Sequence, residues 1–115
     1  MSEHTENSAF TADSPWGVLS TEVAERIRTQ PACHLLWAIM ENAFHEYMRY
    51  TTATDRRGQR LFREAEDWIM QDTSTWLCSF VSISHILGLD PGYLRTGLKR
   101  WREQQSAPVA FKHAA

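Results

Sequence analysis

The chain has 115 residues, a formal net charge of −2 at neutral pH, five Trp and two Cys. That length suits a single domain with a modest core, and the aromatic supply favours ordered folding. A near-neutral total excludes a wholly basic nucleic-acid coat, no stretch approaches the length of a membrane span, and the first residues lack the basic region followed by an apolar one that is expected of a secretion signal. Without such a signal, Cys33 and Cys78 are expected as free thiols in a reducing cytoplasm, each a small apolar residue.

Residues 1–14 are polar and read as a loosely attached arm. Ser14 and Pro15 give a helix-start signal, and a first helix is expected from Pro15 to Arg28, with Trp16, Leu19, Val23 and Ile27 on one face. Pro31 interrupts it. The second helix, Ala32 to Tyr50, is apolar around much of its circumference through Leu35, Leu36, Trp37, Ile39, Met40, Phe44, Tyr47 and Met48, so it belongs at the centre of a bundle. Thr51 to Gly58 reads as a polar break. A third helix, Gln59 to Met70, offers Leu61, Phe62, Ala65, Trp68 and Ile69.

Residues 79–102 read as two helices joined by a tight turn. Phe80, Ile83, Ile86 and Leu87 mark one buried face, and Gly88 follows where a left-handed residue closes a helix without Cβ strain. Asp90 then caps the next helix, with Pro91 at its first position. Leu94, Leu98 and Trp101 supply its packing stripe. Small Ser84 stands where the two helices of such a unit approach most closely. The pattern is that of a helix-turn-helix, and an ordinary helical hairpin uses the same punctuation. Ser106 to Pro108 end the last helix, leaving 106–115 as a tail. The expected fold is all-α: a bundle of about five helices in one domain, 15–105, with the helix-turn-helix at its C-terminal end.

Charge is segregated along the chain. Residues 1–25 carry five acids and no Lys or Arg, whereas Arg49, Arg56, Arg57, Arg60 and Arg63 face Asp55 alone. Residues 64–90 are acidic again, and the segment after Pro91 is basic through Arg95, Lys99, Arg100 and Arg102. Local fields of this kind steer a polyanion more than the net charge does. In a recognition helix, Gly92, Tyr93, Arg95 and Thr96 would stand at base edges, while Lys99, Arg100 and Arg102 would meet phosphates, joined by Arg56 and Arg57 if the fold brings the two basic segments together.

Catalytic and metal chemistry find little footing. Cys33, His34, Glu41 and His45 do not make a compact metal-binding spacing. Ser82, Ser84 and His85 crowd together without a visible orienting acid or oxyanion hole. No glycine loop is built to cradle a phosphate, so neither an enzyme, a metal nor a cofactor is expected.

The run from Arg56 to Arg102 also carries a resemblance. Phe62-Arg63-Glu64-Ala65-Glu66-Asp67-Trp68-Ile69, followed by Leu87-Gly88-Leu89-Asp90-Pro91-Gly92-Tyr93-Leu94-Arg95, resembles a family of small uncharacterised bacterial proteins that share this pair of motifs. The resemblance implies an intracellular bacterial protein with a helix-turn-helix end and implies no reaction. The resulting expectation is a cytoplasmic transcriptional regulator that binds double-stranded DNA, as a homodimer formed through its N-terminal helices, where Trp16, Trp37 and Met40 offer apolar area. The alternative is a non-catalytic adaptor whose bundle binds a protein partner.

Overall fold

The computed structural model describes Gly17 and residues 19–114, with side chains described as far as Gln105. Five helices follow in order: α1 (Thr21–Thr29), α2 (Pro31–Arg49), α3 (Arg56–Met70), α4 (Phe80–Leu87) and α5 (Pro91–Ala114), with no strand among the described residues. The fold is all-α. The expected arm, Trp16 and the side chains of the tail lie outside the described residues.

Three boundaries differ from the sequence reading. The first helix starts at Thr21 rather than Pro15, because Gly17 has φ +82° and extended Ser20 caps the helix, its side chain accepting from the Val23 amide. The third starts at Arg56, since Asp55 is the N-cap and accepts from the Gly58 amide at 3.0 Å. The last helix carries on past Ser106–Pro108 to Ala114, and nothing described explains that extension.

Helix α2 is the centre. It packs against α1, α3 and α4, and buries Cys33, Leu36, Trp37, Met40, Phe44 and Tyr47 along its length. Burial of each such large side chain stabilises the fold by roughly 1.5–3 kcal/mol. Around it gather Val23 and Ile27 of α1, Phe62 and Ile69 of α3, Phe80, Ile83 and Leu87 of α4, and Leu94 and Leu98 of α5. Phe80 is the aromatic hub, meeting Phe44 and Trp68 edge-on with ring centroids 6.4 and 5.7 Å away. Trp68 Nε1 donates to the Cys78 carbonyl at 3.1 Å and holds the 71–79 connection against α3. Trp37 and Met40 are thus inside the chain's own core, which removes them from the apolar area expected to form a dimer surface.

Gly58 is buried in the first turn of α3, where the sequence alone suggested a helix breaker. A Cβ there would lie 2.6 Å from Ala53 Cβ and 2.8 Å from Asp55 Oδ1, so close approach of the α2–α3 turn dictates the residue. Gly58→Ala is therefore expected to destabilise the chain by about 1–3 kcal/mol in urea unfolding, although helix propensity alone favours Ala by about 1 kcal/mol. A raised midpoint would mean that the turn yields freely.

Burial raises the Tyr47 pKa above the ordinary 10.0, an effect that Arg102 opposes and that Glu66 and Glu103 reinforce. The folded chain then holds this proton more tightly than the unfolded one. Stability from this group is fully present below pH 10 and falls as pH rises through the raised value. Tyr47→Phe should flatten that alkaline loss in thermal melts between pH 9 and 11, and an identical alkaline decline in the variant would count against it.

Candidate nucleic-acid interface

The α4–turn–α5 unit is built from local signals. Ser79 caps α4 by accepting from the Ser82 amide at 3.2 Å. At the other end Gly88 adopts φ +81°, its amide donating to the His85 carbonyl while the Leu89 amide donates to the Ser84 carbonyl at 2.7 Å. This paired closure is a Schellman motif, and Leu89 packs against the core beside it. Asp90 then caps α5, its Oδ1 accepting from the Gly92 amide at 2.9 Å. Only residues 88–90 separate the two helices. Ser84 is fully buried and its hydroxyl has no partner, so the position asks for small size rather than for a hydrogen bond.

Two arginines tie the unit to the bundle. Arg26 of α1 donates to the carbonyls of Ile86 and Leu87, at 3.2 Å to the latter, and so satisfies the open end of α4. Arg95 of α5 donates from Nε to the Ile69 carbonyl at 2.8 Å and from its terminal nitrogens to the Gln71 carbonyl at 2.6 Å and Asp72 Oδ1 at 2.9 Å. Its guanidinium also lies over the Phe80 ring, 4.9 Å from the centroid, and the side chain is only 18% exposed. Arg102 behaves similarly, donating from Nε to Thr51 Oγ1 at 3.1 Å, pairing with Glu66 at 3.6 Å and covering Phe62 at 4.4 Å.

Two of the residues expected at DNA have partners within the chain. Arg95, expected at base edges, turns inward to helix C-terminal carbonyls and the Phe80 face, whereas Arg102, expected at phosphates, lies across Phe62 with about half of its side chain still exposed. Sequence reasoning missed this, although aromatic Phe62 and Phe80 and the open carbonyls at the end of α3 were the available signals.

The other named residues remain outside. Gly92, Tyr93, Thr96, Lys99 and Arg100 are exposed on α5, as are Arg56 and Arg57 on α3. Gly92, Thr96 and Lys99 form one row along the helix, with Glu103 continuing it. The Tyr93 hydroxyl approaches the backbone of Gly17, lying 2.7 Å from where a Cβ would sit there. Arg102 reaches Thr51, Phe62 and Glu66, so its side chain bridges the middle of α5 to α3. A polar cleft of about 310 Å³ between them is lined by Tyr50, Thr51, Gln59, Arg63, Glu66 and Arg102, among others.

The catalytic candidates are dispersed. Ser84 is buried while His85 is exposed, and Cys33 is buried while its neighbour His34 faces outward. Among the described residues no group of three His, Cys, Asp or Glu is placed to hold a metal ion. No helix among them is long and apolar enough to cross a membrane. No protein-family model, curated protein or solved structure matches the chain.

The geometry separates tethering from exposed cations, and stability measurements check that division. Arg95→Ala removes charge-assisted bonds to the part-buried Ile69 carbonyl and the exposed Gln71 carbonyl, together with the cover over Phe80, and should cost about 1.5–3 kcal/mol in urea unfolding. Lys99→Ala should stay within about 0.5 kcal/mol of the parent. Equal costs for the two would refute the tether.

Proposed function

We propose that the chain is a DNA-binding helix-turn-helix protein, a transcriptional regulator of the intracellular bacterial kind that its motifs resemble, with α5 as the helix that enters the major groove. The observation carrying this reading is the Gly88–Asp90 turn between two arginine-tethered helices, which leaves the outer row of α5 facing away from the core. Gly92 and Thr96 stand near the start of that helix, where base edges are met, and Lys99 and Arg100 follow at positions suited to phosphates. Gly92 presents no side chain, so the backbone can approach a base closely. Tyr93, with 62% of its surface exposed, flanks them.

A homodimer would set two such helices in successive major grooves, one turn of DNA apart. With Trp37 and Met40 inside, the exposed large apolar side chains among the described residues are Leu35, Trp76, Leu77 and Ile86, besides Tyr93 on α5. The adaptor reading draws on the same list: Trp76 and Leu77, adjacent and more than half exposed on the 71–79 connection, suit a protein partner.

Fluorescence anisotropy with a pooled random duplex, followed by selection of preferred sequences, separates these readings. Lys99→Ala and Arg100→Ala should weaken every sequence alike, each lowering the slope of log affinity against log salt by about one. Thr96→Ala should relax preference at one base pair. Failure of the parent to bind the pool at 50 mM salt would leave the adaptor reading in its place.

A further inference from the structure

Helix α3 has its charges the wrong way round for its own stability. Arg56 and Arg57 occupy its first turn, where the helix dipole disfavours cations, and no acidic residue offsets them within that turn. Its last turn, where a cation would be welcome, holds none. Asp55 at the N-cap supplies an adjoining carboxylate, which accepts from the Gly58 amide. At roughly 100° per residue, Arg56, Arg60 and Arg63 fall within about 60° of one another, spaced i, i+4 and i+7, so they also repel along one stripe. Arg60 makes only a long contact to Glu64 at 3.9 Å, with both side chains about two-thirds exposed. Arg56 and Arg63 have no ion pair among the described residues.

The stripe has a defined position. Gly58, Phe62, Ala65 and Ile69 turn to the core, and Glu66 lies on the flank facing α5, where Arg102 neutralises it. Arg63 lines the cleft with Arg102, and Lys99 sits one turn before Arg102 on the same flank of α5. The Arg56–Arg60–Arg63 stripe therefore borders the outer surface shared with Lys99, whereas Arg57 points to the other side of α3. Asp67 ends the stripe.

We infer that Arg56, Arg60 and Arg63 form a second contact surface for the phosphate backbone of double-stranded DNA, an inference that rests on the DNA-binding reading above. A major groove is about 12 Å wide, so when α5 lies in it the adjacent strand's phosphates run past the flank of α5 that the Arg102 side chain bridges to α3. A polyanion there neutralises cations that repel one another in the free chain. Arg57, off the stripe, takes no part, and Arg60 and Arg63 replace it.

The test is a salt titration of binding to the random duplex. Arg56→Gln, Arg60→Gln and Arg63→Gln should each lower the salt slope by about one, and the triple variant should lose about 40-fold less affinity than the parent between 50 and 200 mM salt. Arg57→Gln should keep the parent slope. Thermal melts should show the triple variant at least as stable as the parent, since the stripe is self-repelling. If the triple variant keeps the parent slope while Lys99→Ala lowers it, or if Arg57→Gln costs as much as Arg56→Gln, the stripe is not the contact and the DNA reading stands. A parent that does not bind the duplex at 50 mM salt overturns both.

Discussion

The arrangement of this molecule depends on guanidinium groups that close the ends of helices far away in sequence. The last carbonyls of a helix have no partner inside it and carry the negative pole of its dipole. Arg95 satisfies those at the end of α3 and Arg26 those at the end of α4. The bonds to the Ile69 and Leu87 carbonyls are charge-assisted and partly shielded from water, which makes them stronger than a surface ion pair. Since one arginine lies on α5 and the other on α1, the short helix α4 is held from both sides. Its eight residues would be marginal alone, because nucleating a helix costs more than one turn returns.

Much of this was legible in the chain. The Gly88 closure, the Asp90 cap and Pro91 at the helix start are local rules with few competing outcomes, and α4 begins and ends where its apolar spacing places it. The second helix is central for the same reason: apolar residues cover much of its circumference, and an edge through His34, Asn42, His45 and Arg49 is left to solvent. What escaped was tertiary. Asp55 and Gly58 together look like a loop, and only the contact with Ala53 explains why a glycine stands inside a helix. Arg95 and Lys99 are indistinguishable as basic residues in a list, and their roles diverge only because Phe80 and three acceptor atoms surround one of them.

Charge in this chain therefore performs two kinds of work that composition cannot separate. Arg26, Arg95 and Arg102 are cohesive: they sit on carbonyls, carboxylates and aromatic faces. Arg56, Arg60, Arg63, Lys99 and Arg100 remain hydrated at the periphery. A near-even balance of acids and bases conceals this division, which emerges only from what surrounds each arginine.

The Arg26 bond spans some sixty positions of the chain. The helix pair at the C-terminal end is consequently no portable cassette. Severed from the segments that precede it, it would keep its turn but lose both anchors, and its second helix would swing with no fixed bearing. Whatever that helix meets, the whole domain must be assembled first to aim it.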